Sequence, residues 1–137
     1  TGQDVFHQHF FPFTEGFIHT PANDIDAALK ALDNPAVCAI MMEPIQGEGG
    51  VMPLDKEFVQ VVTKYAHEHD QLVLIDEVQT GNGRTGSLYA YQQFGIEPDV
   101  VSTAKGLAGG LPMGATLFNE KMQYVLNAGA HATTFWR

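Results

Sequence analysis

Apolar residues in this chain form short runs that alternate with stretches of helical spacing. Three segments, 37–42, 72–75 and 100–104, are rich in apolar residues, and a polar or charged residue follows each of them. Short apolar runs with such flanks are typical of strands that are buried on both faces of a sheet. The pattern predicts these three strands and a fourth strand over 114–118.

Between these runs, apolar residues recur at the spacing of helices that bury one face. After Asn23, a candidate N-cap, they follow at i, i+3, i+4 and i+7, and these residues are Ile25, Ala28, Leu29 and Leu32. A second helix is predicted from the N-cap Asp55 to about residue 69. A third is predicted over 88–94, with Gly95 as its left-handed stop.

The order strand, helix, strand, helix, strand predicts parallel βαβ units with right-handed crossovers. The link between the third and fourth strands is too short for a crossover helix, so the fourth strand should be antiparallel to the third. The predicted fold is therefore α/β, with three parallel strands, one antiparallel strand and flanking helices in one structural unit. Residues 120–127 are predicted to be helical, and residues 46–53 to form a glycine-rich loop. Residues 4–19 carry five phenylalanines without a regular period, which predicts irregular structure whose aromatic side chains need a partner surface.

Charge and cysteine content exclude several classes of protein. The chain has 16 acidic and 7 basic residues and a net charge of -9, which argues against binding to nucleic acid or to an anionic membrane surface. The one cysteine, Cys38, excludes an internal disulfide framework and indicates a reducing compartment. Because Cys38 lies in an apolar run, we expect its thiol to pack in the core. No apolar stretch reaches the roughly 18 residues of a membrane span.

Polar side chains follow the three parallel strands where each strand ends. Glu43 follows the first strand, Asp76 and Gln79 follow the second, and Lys105 follows the third. Because the carboxyl ends of parallel strands meet at one edge of a sheet, we expect these groups to converge. Burial lowers the pKa of a lysine, and the neutral amine is the form that attacks carbonyl groups. The alternative is a lysine at a strand end whose amine extends into solvent.

The order of residues after the second strand favours a planar cofactor with a cationic ring nitrogen. In a strand extension, Asp76 and Val78 share one face, so a carboxylate could hold the ring nitrogen while an apolar side chain packs on the ring. A rival interpretation takes 72–77 as a Walker B strand, but the Gly-Lys-Ser/Thr motif that it requires is absent.

Two further candidate sites are weaker. The glycines at 81, 83 and 86 could surround a phosphate, but a tight loop that crosses near the site is the preferred interpretation. His7 and His9 could bind a metal ion, but no third ligand stands near them, and we predict no metal site.

Several linked motifs resemble those of the class III pyridoxal-phosphate-dependent aminotransferases, and they occur in the family's order and at its spacing. They lie at 43–50, 74–81, 83–86 and 104–106. Within this class the chain is most similar to the bacterial acetylornithine aminotransferases. The resemblance implies that residues 1–137 are the middle of the large, cofactor-binding domain of a fold-type I enzyme. The N-terminal part of that domain and the C-terminal small domain have no counterpart in the chain.

The resemblance also implies which residues bind the cofactor, pyridoxal 5'-phosphate. Lys105 resembles the lysine that forms a Schiff base with the cofactor and then carries a proton during the reaction. Asp76 resembles the partner of the ring nitrogen, Val78 the residue packed on the ring, and Gln79 the partner of the ring hydroxyl. Glu77, between them, is counted among the cofactor-binding residues.

Substrate-binding residues are implied in the same way. Glu48 resembles the glutamate that pairs with a substrate-binding arginine and so switches between the amino donor and 2-oxoglutarate, with Glu43 supporting it. Thr134 resembles the threonine that reaches the cofactor phosphate of the neighbouring subunit, and Thr133 would lie near the substrate. The implied assembly is a homodimer whose subunits share the cofactor sites.

The implied activity is the transfer of an amino group from N-acetylornithine or ornithine to 2-oxoglutarate, in arginine biosynthesis and in the cytoplasm. One alternative inside the class is a 4-aminobutyrate aminotransferase or another omega-aminotransferase. The other is that the 137-residue chain is a catalytically inactive fragment of such an enzyme.

Overall fold

The computed structural model describes residues 4–125 and 127–130. Its main sheet has the strand order β1-β4-β5-β6, and a separate hairpin pairs β2 with β3. The strands are β1 Ala39–Met42, β2 Ile45–Gln46, β3 Met52–Pro53, β4 Leu72–Asp76, β5 Val100–Thr103 and β6 Ala115–Phe118. β1, β4 and β5 run parallel, and β6 runs antiparallel to β5. The prediction of three parallel strands and one antiparallel strand is confirmed.

Helices cover one face of this sheet. They are α1 Ile25–Leu32, α2 Lys56–Glu68 and α3 Tyr91–Phe94. Val73 and Ile75 of β4 are buried on the helical face against Phe58 and Val62 of α2. On the other face, Met41 of β1 remains 60% exposed. Because β4 alternates between the two faces, one side of the sheet forms the core and the other is open among the described residues.

Asn23 links the N-termini of α1 and α2, although the sequence pattern predicted it to be the N-cap of α1. Asn23 does not cap α1; the cap is Asp24, whose Oδ1 accepts a hydrogen bond from Ala27 N at 2.9 Å. Asn23 instead has a φ of 62° and accepts a bond from Asp55 N at 2.8 Å. Asp55 is the N-cap of α2 as predicted, but its own side chain makes no capping bond. The prediction failed because the partner of Asn23 is remote in sequence.

The third helix is shorter than predicted. It begins at Tyr91 rather than at residue 88, and Tyr91 N donates to the Glu77 carboxylate at 2.8 Å. A carboxylate at this position accepts a hydrogen bond from an N–H group that has no partner within the helix. Its negative charge also interacts favourably with the positive end of the helix dipole. Gly95 ends the helix with a φ of 69°, as predicted.

Three other expectations differ from the structure. The segment 46–53, predicted to be a loop, contains paired residues of the β2–β3 hairpin. Of the helix predicted over 120–127, the described residues form only a 3-10 turn at Glu120–Met122. Cys38 is exposed rather than packed in the core, because it precedes the first residue of β1.

The phenylalanine-rich segment has little regular structure, as predicted. Asp4–Phe6 forms one 3-10 turn, and no other helix or strand occurs before α1 in the part of the segment that the structure describes. Phe10, Phe11 and Phe17 are exposed. Separately, none of the helices in the described ranges has the length and apolar character needed to cross a membrane.

Candidate functional site

A cleft of about 690 Å³ lies at the carboxyl edge, the edge of the main sheet where β1, β4 and β5 end. Three segments line it: the β2–β3 hairpin, the loop after β4 and the turn after β5. The lining residues are Ile45, Gly47, Val51, Val78, Gln79, Thr80, Gly81, Asn82, Gly83, Arg84, Thr85, Lys105 and Gly106. Of the polar groups predicted to converge at this edge, Gln79 and Lys105 line the cleft, whereas Glu43 and Asp76 are not among the lining residues. The glycine-rich loop crosses the cleft.

Asp76 ends β4 by bonding to the chain that follows it. Its Oδ1 accepts a hydrogen bond from Val78 N at 2.9 Å, which turns the backbone away from the sheet. Val78 therefore lies in a turn, and the predicted strand extension is wrong. The turn nevertheless brings Val78 and Gln79 to the wall of the cleft, directly after Asp76. Within the described residues, Asp76 Oδ2 has no hydrogen-bond partner.

The hairpin is held against the loop after β4 by close contacts. Gly47 packs so tightly on Gln79 that an added Cβ would overlap the Gln79 side-chain amide. Gln79 Nε2 in turn donates to Glu48 Oε1 at 3.3 Å. Glu43, which ends β1, accepts a bond from Gly47 N at 3.2 Å and so fixes the start of the turn that carries Glu48. A larger residue at position 47 would therefore displace the Gln79 amide from its place on the cleft wall.

Glu77 faces away from the cleft. Its side chain is fully buried, and its carboxylate accepts hydrogen bonds from Thr80 Oγ1 and from Tyr91 N. Burial, and then the charge of Glu77, raises the pKa of the Tyr91 phenol. The geometry gives the Glu77 side chain a structural task, namely to join the loop after β4 to α3.

Lys105 is the first residue of the 3-10 turn Lys105–Ala108 that follows β5, and it lines the cleft. Its φ is +45°, a left-handed conformation that costs a residue other than glycine about 1–2 kcal/mol. Lys105 is exposed, contrary to the burial from which we argued. The surroundings must therefore fix the backbone here, since strained conformations persist only where neighbouring groups hold them.

The sequence did not single out two residues beside this turn. Ser102 pairs with Asp76 in the β4–β5 register, so the two side chains share a face, and Ser102 Oγ is buried without a hydrogen-bond partner among the described residues. Asn82 Nδ2 donates to Thr103 Oγ1 at 2.9 Å and to Ala104 O at 3.1 Å. The one signal for Asn82 was an asparagine between two glycines, which favours a left-handed backbone.

The opposite end of the sheet carries a carboxylate whose surroundings differ. Asp99 precedes β5 and is 4% exposed. Its oxygens accept bonds from Val73 N and Asn119 Nδ2, both at 2.9 Å, and His67 Nε2 lies 3.2 Å away. Burial alone raises the pKa of Asp99, but the two hydrogen bonds and His67 together hold that pKa below its ordinary value.

The cleft thus combines groups that suit carbonyl and amine chemistry. A lysine amine can attack a carbonyl group, a carboxylate with a free oxygen can bind a cationic nitrogen, and an amide can bond a hydroxyl. The structure brings Val78, Gln79 and Lys105 together, with Asp76 behind them and Glu48 on Gln79. Thr133 and Thr134 lie outside the described residues.

Comparison with known proteins gives the class of this chain. The family model described as "Aminotransferase class-III" matches residues 1–136. The chain belongs to the class III aminotransferases, as its motifs predicted.

The chain is also similar to individual aminotransferases. The acetylornithine aminotransferase of Haemophilus ducreyi is 53% identical over 135 residues, which are 98% of this chain and 34% of the relative. The succinylornithine transaminase of Citrobacter koseri is 46% identical over 134 residues, 98% of this chain and 33% of the relative. A solved structure of ornithine aminotransferase from Toxoplasma gondii matches the fold of the chain with a TM-score of 0.91 and 35% sequence identity. The match covers 98% of this chain and 32% of the Toxoplasma gondii chain. The chain spans about a third of the length of the curated relatives it matches.

Proposed function

We propose that this chain carries part of the active site of an aminotransferase that uses pyridoxal 5'-phosphate. The amino group would move from N-acetylornithine or ornithine to 2-oxoglutarate, in arginine biosynthesis, in a cytoplasmic homodimer. The observation that carries the proposal is the convergence of Lys105, Val78 and Gln79 on one cleft, with Asp76 immediately behind them. The relatives named above support the choice of amino donor.

The described residues fit the ring and the aldehyde of this cofactor. Among the described residues, Asp76 Oδ2 and Ser102 Oγ have no hydrogen-bond partner, and both side chains lie on the same face of the sheet. A bound polar group could therefore form hydrogen bonds with them. When bound, the cofactor supplies an aldehyde that accepts an amine and a ring that withdraws electrons from it.

Each residue at the cleft has a proposed task. Asp76 keeps a proton on the ring nitrogen, because a carboxylate stabilises a cationic partner. Val78 packs on the ring and excludes water from one face. Gln79 would donate to the ring hydroxyl, and its bond to Glu48 Oε1 leaves one proton of its amide for this contact. Lys105 would hold the aldehyde through its amine and, once the substrate amine had displaced it from the aldehyde carbon, would move a proton to and from the substrate.

Glu48 is the proposed substrate switch. It is exposed, and its bond to Gln79 at 3.3 Å is long enough to exchange for a stronger partner. A guanidinium group from elsewhere in the assembly would be such a partner when the amino donor is bound. Thr133 near the substrate and Thr134 at the cofactor phosphate of the other subunit complete the proposed site. We do not include the Glu77 side chain among the cofactor contacts, since both of its oxygens are bonded inside the fold.

The test is an amino-transfer assay of the full-length protein with pyridoxal 5'-phosphate and 2-oxoglutarate. The donors compared are N-acetylornithine, N-succinylornithine, ornithine and 4-aminobutyrate, and the product measured is glutamate. We expect the highest kcat/KM with N-acetylornithine. A preference for 4-aminobutyrate would place the protein with the other omega-aminotransferases, and no glutamate from any donor would contradict the proposal.

A second proposal concerns the isolated 137-residue chain, which we infer to be inactive. Its open cleft and exposed Lys105 favour this, because amino transfer needs a site that excludes water. The same assay on the isolated chain, with the full-length protein as the positive control, decides it. Glutamate formation at a comparable rate would refute the inactive-fragment proposal.

A further inference from the structure

The side chain of Asn82 links the loop after β4 to the end of β5. Its Nδ2 donates to Thr103 Oγ1 at 2.9 Å and to the carbonyl oxygen of Ala104 at 3.1 Å. These two bonds can use both protons of the amide, so the amide nitrogen of Asn82 is bonded to the end of the strand that precedes Lys105. The two hydrogen bonds of Asn82 thereby hold the loop after β4 against the end of β5.

The Ala104 carbonyl belongs to the peptide bond that joins Ala104 to Lys105. A peptide unit is planar, so fixing its oxygen fixes the direction in which the Lys105 backbone leaves it. The same oxygen accepts a bond from Leu107 N at 3.0 Å, which closes the 3-10 turn on the other side. Asn82 Nδ2 and Leu107 N therefore both donate to the Ala104 carbonyl, and together they fix the orientation of the Ala104–Lys105 peptide plane.

The backbone of Lys105 needs such support. With φ at +45° it is in the left-handed region, which residues other than glycine seldom adopt. Conformations of this kind persist only where the surroundings hold them. Asn82 has a φ of +58°, a value that asparagine tolerates better than most residues. Asn82 also lies against Gly106, where an added Cβ would sit 3.5 Å from Asn82 Cβ.

We propose that Asn82 is a positioning residue for Lys105. By holding the Ala104–Lys105 peptide, its amide sets the direction from which the lysine amine enters the cleft. This inference rests on the proposed role of Lys105 as the amine that binds the cofactor aldehyde. Asn82 itself needs no contact with cofactor or substrate.

The test measures where a small aldehyde reacts, rather than turnover. The full-length protein is treated with limiting pyridoxal 5'-phosphate and reduced with borohydride, and peptide mass spectrometry gives the labelling of each lysine. Lys64, whose side chain is 76% exposed on α2, is the internal reference. In the unmodified protein we expect labelling of Lys105 to exceed that of Lys64 by about tenfold or more, since a positioned amine gains from orientation.

Asn82→Gly is the main variant, because glycine accepts a φ of +58° and removes the side chain with its amide. We expect the ratio of Lys105 to Lys64 labelling to fall about tenfold while Lys64 labelling stays constant. Asn82→Asp is the second variant: it keeps the size and can accept a bond from the Thr103 hydroxyl, but has no donor for Ala104 O. It should lower the ratio similarly, so a folding defect in one variant leaves the other decisive.

Thr103→Val is the matched control. It removes the other acceptor of the Asn82 amide and leaves the bond to Ala104 O, so the ratio should stay within about twofold. An unchanged ratio in both Asn82 variants, even with a lowered Tm, would show a purely structural role and overturn the inference. A loss in Thr103→Val as large as in Asn82→Gly would overturn the assignment to the Ala104 carbonyl. Equal labelling of Lys105 and Lys64 in the unmodified protein would instead contradict the proposed function of Lys105, and the inference with it.

Discussion

Asp99 and Asp76 lie at opposite ends of the same sheet, and their carboxylates have different surroundings. Asp99 is buried before β5, and backbone, amide and imidazole groups occupy its oxygens. Asp76 is half-buried at the end of β4, and only Oδ1 has a bond within the described residues. A carboxylate whose bonding capacity is used inside the fold stabilises it, whereas one with capacity left at the carboxyl edge is available to a ligand. Changes at the two ends should therefore separate activity from stability.

The largest effect should come from Lys105→Ala at the carboxyl edge. We expect amino transfer by the full-length protein to fall about 10³-fold or more, because the amine that moves the proton is lost. The free energy of unfolding should change by less than about 0.5 kcal/mol, since the side chain is exposed. Glutamate formation and urea unfolding measure the two quantities. Lys64→Ala, an exposed lysine on α2, is the control and should alter neither; retained turnover in Lys105→Ala would refute the assignment.

Asp76→Asn should have the next largest effect. The amide keeps the size and can accept the bond from Val78 N, but it lacks the charge that holds a proton on the cofactor ring. We expect kcat to fall about 100-fold, with stability lowered by less than about 1 kcal/mol. Steady-state kinetics and urea unfolding on the same sample provide the comparison. A variant with normal kcat and lower stability would mean that Asp76 is structural like Asp99.

Asp99→Asn should give the reverse result. An asparagine has only one acceptor oxygen. Its NH₂ group, a donor, would therefore face another donor, either Val73 N or Asn119 Nδ2. We expect a loss of about 2 kcal/mol in the free energy of unfolding, the cost of leaving a buried donor unsatisfied. The kcat at a temperature where the variant is folded should stay within about threefold. Chemical denaturation measures the first quantity, and a kcat loss as large as that of Asp76→Asn would remove the contrast between the two ends.

The smallest effect concerns the pH dependence of stability. Because the pKa of Asp99 in the folded protein is below its ordinary value of 3.8, the folded state binds fewer protons than the unfolded state as the pH falls through this range. The stabilisation by Asp99 is therefore complete above pH 3.8 and is lost as the pH falls through the lowered folded-state pKa. Urea unfolding between neutral and acidic pH should show a steeper loss of stability in the unmodified protein than in Asp99→Asn. Parallel curves would contradict this account of Asp99.

Much of the fold could be predicted because it depends on local pattern. The apolar runs around Ile40, Val73 and Val101 became strands, and helical spacing predicted α1 and α2 to within about two residues. The short link before β6 predicted its antiparallel direction. Polar residues directly after parallel strands predicted the meeting of Asp76 and Lys105 at one edge, since that edge follows from strand direction alone.

The errors share a different physical cause, which is hydrogen bonding between groups far apart in sequence. Asn23 was assigned to its own helix but bonds Asp55, 32 positions away. The α3 helix begins late because Glu77 of another segment accepts from Tyr91 N. Neither partner is visible in a local pattern, because short polar side chains bond whichever group the fold brings near them.

The sequence by itself determined the directions of the four strands of the main sheet, the polar residues at its carboxyl edge and, through linked motifs, the class of enzyme. Only the tertiary structure decided which polar groups are used up inside the fold and which are left for a ligand. Glu77 and Asp76 are adjacent carboxylates, yet one is buried and fully bonded while the other keeps a free oxygen among the described residues. The reason is that hydrogen-bond satisfaction depends on distances across the fold, and these are set by packing rather than by order along the chain.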